Sequence, residues 1–251
     1  MTGSYDKKWK RIDGSIYLIK TGGENYDNRE VFSELYAYHI AKLLGMQGFT
    51  VKYSIIKSIF SGKERIATKC KLFTSETDGF IPVEFINLNG KTDAEYAMSI
   101  GKRSYRDFLA MCLLDSLILN IDRHDGNFGY LVNNDKHTII TMAPIFDNNL
   151  SLLCKQPIKN KEPDELVEIV ASCKCYKQLC EYGVTFPVLG VWACRELART
   201  RILRPETILK ILQDLYRTDL NFADLSEYKM DKRRTDMIEF IVKFNAYFIG
   251  G

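Results

Sequence analysis

Asp122, Asn127 and Asp147 are the residues of this 251-residue chain whose types and spacing best suit chemistry. Asp122 and Asn127 lie five residues apart in the stretch Asn120–Asn134, N-I-D-R-H-D-G-N-F-G-Y-L-V-N-N, which is rich in small and polar side chains. An apolar run, Thr138–Met142, follows it, and Asp147 comes next in A-P-I-F-D-N-N. The pattern predicts a β-hairpin flanked by two loops, with three oxygen-bearing side chains converging from them. Oxygens of this kind suit magnesium, a hard cation that takes oxygen ligands and keeps several waters. A carboxylate in the same place can orient or deprotonate a hydroxyl. An Asx-rich turn, with Asp122 and Asn127 capping backbone groups, would explain the first loop. It would not explain a second loop bringing another carboxylate to the same place. Asp125 is an alternative base, otherwise read as a turn aspartate.

The elements that must position these residues follow from periodicity. Tyr105–Leu119 is expected to be a helix that delivers the chain into the Asp122 loop, and its apolar residues surround nearly its whole circumference, as in a buried helix. Asp115 sits inside it and is either partly exposed or paired, because a buried carboxylate needs partners. Nearer the start, Asp13-Gly14 is a hairpin signal, and Ser15–Lys20 alternates as a strand that ends in a lysine. Arg29–Leu44 has helical spacing, with Asp27 or Asn28 as its cap and Gly45 as its stop. Val51–Phe60 and Arg65–Phe73 read as two strands joined by the turn 61–63. The stretch 74–93 is expected to be an irregular connection, with Phe80, Ile81, Val83, Phe85 and Ile86 packing under the next helix. Beyond Asp147, residues 155–163 read as an exposed loop. Four helical patterns follow: Glu165–Tyr182, Val188–Thr200, Pro205–Tyr216 and Lys232–Phe248. At the N-terminus, Gly3 and Ser4 precede Lys7, Lys8, Trp9 and Lys10. That is either a loop able to cradle phosphates with backbone N–H groups or a basic terminus without structure.

The spacing D-x-x-x-x-N, with a further aspartate beyond the next hairpin, is similar to that of protein kinases. The spelling resembles the HipA-like kinases, whose catalytic loop reads roughly N-x-D-x-H-x-x-N-x-G and whose metal loop reads P-x-[YF]-D. The matching residues are Asn120, Asp122, His124, Asn127 and Gly129, then Pro144, Phe146 and Asp147. The resemblance implies an α+β, two-lobed kinase-like fold over 1–251. Residues 1–73 would form a small antiparallel-β lobe with one helix, and 74–251 a mainly helical lobe. It also implies ATP and Mg²⁺ as cofactors, with Asp122 as the base and Asn127 and Asp147 on the metal. Lys20 would contact the α- and β-phosphates, paired with Glu34 on the following helix; Glu30 is the rival. Gly3, Ser4, Lys7 and His124 would lie around the nucleotide, and Lys71 and Phe73 in the hinge that meets the adenine. Several such kinases are toxins of bacterial toxin–antitoxin pairs that act on translation components, so a protein substrate and an antitoxin partner are implied. Ser4 would be a candidate for autophosphorylation. A lipid or small-molecule kinase would share every ATP residue, and a nucleotide-binding pseudokinase would share most.

Composition bounds the rest. A net charge of +3 is nearly balanced, so nucleic-acid binding is not indicated. No apolar run is long enough to span a membrane and no signal-peptide pattern opens the chain, so a cytoplasmic location is expected. Seven scattered cysteines suit reduced thiols. Cys173, Cys175 and Cys180 lack a fourth ligand for zinc.

Overall fold

The computed structural model describes residues 5–155 apart from 27, 119 and 153. Gly3 and Ser4, the four downstream helical segments and the cysteine cluster lie outside the described residues.

Strands β1 (Lys7–Ile12) and β2 (Ser15–Thr21) form the first hairpin. Its turn residues Asp13 and Gly14 have φ of 46° and 76°, the double positive φ that a two-residue hairpin turn requires. Strands β3 (Tyr53–Phe60) and β4 (Lys63–Lys71) form a second hairpin through Ser61-Gly62. The two hairpins join as an antiparallel sheet in the order β1-β2-β4-β3. A structured β1 settles the alternatives for Lys7 to Lys10 in favour of order. It also separates the two lysines: Lys7 faces the cleft described below. Lys8, one residue on and so on the other face, donates to the Ile59 carbonyl at 2.6 Å and lies over the Phe60 ring.

Between the hairpins runs helix α1 (Arg29–Leu43). Asn28 is its N-cap, but in left-handed conformation and without the side-chain cap bond its residue type suggests. The C-terminus closes as expected at Gly45. The Gly45 N–H donates to Lys42 O and the Met46 N–H to Ala41 O, the paired bonds of a Schellman motif. Val31, Phe32, Leu35, Tyr36, Ile40 and Leu44 of this segment are buried.

The stretch 74–93 is more regular than its sequence suggests. Asp78–Pro82 is a strand, β5, followed by a 3-10 turn at Val83–Phe85. β5 pairs with β6 (Gly129–Asn133), which pairs in turn with β7 (Thr138–Met142), giving a second antiparallel sheet. Phe85 does not pack under the helix; it is 72% exposed, whereas Val83 is buried. Helix α2 (Asp93–Ile100) begins with a capping box: the Glu95 N–H donates to Thr92 Oγ1 and the Thr92 N–H to the Glu95 carboxylate. Helix α3 (Lys102–Ile118) starts three residues before the expected Tyr105. Phe108 to Leu114, Leu117 and Ile118 are all buried in one core with α1, β6 and β7. That core is the floor on which the Asp122 loop rests. At Gly129, opposite Pro82, a Cβ would meet Ile81 O at 2.1 Å, so only glycine lets β5 close against β6.

The four-stranded sheet with α1 on one side, and α2, α3 and the three-stranded sheet on the other, form a two-lobed α+β kinase-like fold.

Candidate active site

The period-2 alternation of strands puts one face of the first sheet over a cleft. Lys7 and Trp9 of β1, Leu18 and Lys20 of β2, Thr68 and Cys70 of β4, and Tyr53 of β3 all line it. They are cross-strand neighbours in register: Lys7 with Lys20, Trp9 with Leu18, Thr68 with Lys20, Cys70 with both Leu18 and Tyr53. The opposite wall is Glu84, Asp122, His124, Gly126, Asn127, Phe146, Asp147 and Asn149. Lys71, Leu72 and Phe73 close one end. The volume is roughly 570 Å³, within the ~300–1,000 Å³ of small-molecule sites.

Lys20, Glu34 and Asp147 meet at the centre. The Lys20 ammonium donates to Asp147 Oδ1 and stands 3.7 Å from Glu34 Oε1. Burial pulls the Lys20 pKa down, but Asp147 and then Glu34 more than offset it, so the value is raised and the ammonium stays charged. Glu34 is 2% exposed. Burial drives its pKa up to about 7, against the pull of Lys20. Glu30, the rival glutamate, is committed elsewhere. It accepts from Tyr5 Oη at 2.7 Å and from the Gly23 N–H at 3.1 Å, and so holds the loop before α1.

Asp122 and Asn127 are tied into one loop. The Asn127 amide nitrogen donates to Asp122 O at 2.9 Å, and the Asp122 N–H donates to Asn120 Oδ1 at 3.1 Å. His124 Nδ1 accepts from the Gly126 N–H at 3.1 Å, which shapes the turn. With its nitrogen engaged, Asn127 presents its amide oxygen as the atom left for a cation, and Asp147 presents a carboxylate in the same cleft. Among the described residues no cluster of three His, Cys, Asp or Glu side chains could hold a metal alone. A donor set of one amide and one carboxylate fits magnesium, which takes its remaining ligands from water and phosphate oxygens.

The residue that builds the floor of the site is Arg123, which the sequence reading passed over. It is fully buried. Its Nε donates to Asp115 Oδ2 at 2.8 Å and its Nη2 to Asp115 Oδ1 at 3.0 Å. Nη1 donates to the carbonyls of Asn127 and Phe146, both at 2.7 Å, and Nη2 also reaches Asn148 Oδ1 at 2.8 Å. One guanidinium thus joins α3, the Asp122 loop and the Asp147 loop. Asp115 is the paired, buried carboxylate, and it also accepts from the Asn120 amide at 3.0 Å. Asn148 extends the link to α1: its N–H donates to Glu34 Oε2 at 3.0 Å, and its carbonyl accepts from Ser33 Oγ at 3.0 Å. The signal for Arg123 was a charged residue between two others in D-R-H, where a solvated side chain is the usual outcome.

Asp147 itself is held at φ 55°, a left-handed conformation uncommon outside glycine. Phe146, before it, packs with Phe73 and Phe80 at ring-centroid distances of 5.5 and 5.3 Å. The aromatic contact ties the segment after β4 to the Asp147 loop.

The fold is therefore that of a protein-kinase-like domain. A solved structure agrees. The crystal structure of the Helicobacter pylori proinflammatory kinase CtkA matches with a TM-score of 0.53 and 17% identity, over 97% of this chain and 94% of that one. In sequence, the chain is similar to the serine/threonine-protein kinase CtkA of Helicobacter pylori strain J99, 30% identical over 160 residues. That match spans 54% of this chain and 46% of the curated relative, under half of the latter's length. No family model matches the sequence. Among the described residues no helix is long and apolar enough to cross a membrane.

Proposed function

We propose that the protein is an ATP- and Mg²⁺-dependent kinase that phosphorylates serine or threonine hydroxyls of a protein substrate, of the HipA-like kind. The observation that carries this reading is the convergence in one cleft of Lys20, Glu34, Asp122, Asn127 and Asp147, supplied by separate elements of both lobes. The likeness to CtkA supports it.

Bound nucleotide supplies the γ-phosphoryl group, and magnesium neutralises charge on the phosphates. The chain's own residues then have distinct tasks. Lys20, held charged and oriented by Glu34, meets phosphate oxygens. Asn127 and Asp147 hold the cation. Asp122 accepts the substrate hydroxyl's proton as the new oxygen–phosphorus bond forms and the β,γ bond breaks, ADP leaving with that electron pair. The segment Cys70–Phe73 meets the adenine, and Lys7 and Trp9 flank the nucleotide from β1. Catalysis here is mainly positioning and charge stabilisation. On this reading residues 1–251 form one domain, Gly3 and Ser4 belong to the phosphate loop, and phosphorylation of Ser4 would place about −1.5 to −2 charges where ATP must sit. The chain would act in the cytoplasm on a translation component, restrained by an antitoxin.

The test is incubation with γ-labelled ATP, Mg²⁺ and a bacterial lysate, with labelled proteins identified by mass spectrometry. Label should enter discrete proteins on serine or threonine. Label found only in lipids or small metabolites would replace the protein substrate, and nucleotide binding without any transfer would make the chain a pseudokinase.

A further inference from the structure

We propose that Tyr53 is the positioning residue for the Asp147 carboxylate. This inference rests on the kinase reading of the cleft and adds to it a group outside the expected set.

The argument begins in the backbone. Residues 49–51, leading into β3, run parallel to the Asp147 loop through an isolated bridge between Thr50 and Ile145. The Ile145 N–H donates to Phe49 O at 2.6 Å and the Val51 N–H donates to Ile145 O at 2.9 Å. The next rung of such a parallel ladder would take the Asp147 N–H to Val51 O. It does not form. Asp147 leaves extended geometry for φ 55°, and its N–H donates instead to the Tyr53 hydroxyl at 3.1 Å. A side chain from the small lobe replaces a backbone rung at the residue where the loop turns away.

Tyr53 lines the cleft with Glu34 and with Cys70, its cross-strand neighbour. Tyr53 is 5% exposed, and burial first, then the neighbouring Glu34, holds its pKa well above the ordinary value. A phenylalanine would fill the same space and leave the part-buried Asp147 N–H without its acceptor, the Lys20 contact to the carboxylate remaining. The backbone that carries the carboxylate would then lose the bond that holds it where the loop turns away, leaving Lys20 to orient Asp147.

The Tyr53→Phe variant is compared with the parent and with Tyr130→Phe, which removes a hydroxyl from a tyrosine in the core of the other lobe, outside the cleft. Two readouts are taken: ATP binding as a function of Mg²⁺, and amide hydrogen exchange at residues 146–148. In Tyr53→Phe the Mg²⁺ concentration at half-saturation should rise about tenfold, the scale of one lost hydrogen bond, and the Asp147 amide should exchange faster. Tyr130→Phe should change neither readout. An unchanged Mg²⁺ midpoint and unchanged exchange in Tyr53→Phe overturn the proposal, as does an equal effect from Tyr130→Phe. If the parent binds no Mg²⁺·ATP, the kinase reading fails by itself. Exchange at the Asp147 amide then decides for Tyr53: faster in the variant supports the hold, and unchanged exchange overturns it.

Discussion

Asp122→Asn keeps the side chain's shape and removes its basicity. General-base contributions are typically about 10²–10⁴-fold, so phosphate transfer should fall by that order while ATP titration shows unchanged affinity. Retained turnover would move the base to Asp125. Glu34 offers a test through pH. Burial raises its pKa from 4.5 to about 7, so the folded chain holds this proton more tightly than the unfolded one. Its contribution to stability is fully present below about pH 4.5 and is lost as pH rises through about 7. Function runs the other way, because only ionised Glu34 can hold the Lys20 ammonium. ATP affinity should therefore weaken as pH falls through about 7. A Glu34→Gln variant, which cannot titrate, should be weaker throughout and lack that step, as nucleotide titrations from pH 5 to 9 would show.

At the scale of elements, the site loops are anchored by bonds that local sequence patterns do not announce. Arg123 holds α3 to both site loops from a fully buried position. Arg123→Met keeps much of the volume but strands the Asp115 carboxylate. Breaking such a pair from one side costs about 3–5 kcal/mol, so a urea midpoint should drop accordingly and ATP binding should fail with it. The hairpins and α1 were legible because alternation, turn residues and a terminal glycine are local signals. Strand β5 was not: Asp78–Pro82 is short, contains Gly79 and ends in proline, and only long-range pairing with β6 makes it a strand. α2 could have been read from the capping box Thr92-x-x-Glu95. In the site, Asp122, Asn127 and Asp147 stand out by residue type and spacing, whereas Lys20 and Glu34 follow from the resemblance to kinases; the five line one cleft. Arg123 and Tyr53 were not legible, since a loop arginine and a strand tyrosine ordinarily have no such duty, and only the tertiary path of the chain gives them one.

For the whole molecule, the proposed toxin role predicts that induced expression in a bacterium slows growth and that the Asp122→Asn variant does not. Equal slowing by both would mark a burden of expression. A different pressure follows from the left-handed backbone of Asp147. Replacing this residue by glycine would relieve backbone strain, on the order of 1 kcal/mol, and would remove a negative charge that presses on buried Glu34. Against that relief stand the lost Lys20 ion pair and the added freedom of the unfolded chain, so Asp147→Gly should melt close to the parent while losing its Mg²⁺-dependent nucleotide binding, a pairing that thermal unfolding and titration can check. Activity fixes an aspartate at this position, while stability is close to indifferent to it. A lineage released from selection for catalysis would be free to drift toward glycine there while keeping Arg123 and Asp115, on which the fold still depends. Loss of the metal-loop carboxylate beside an intact arginine anchor would then be the fossil signature of a copy that outlived its chemistry.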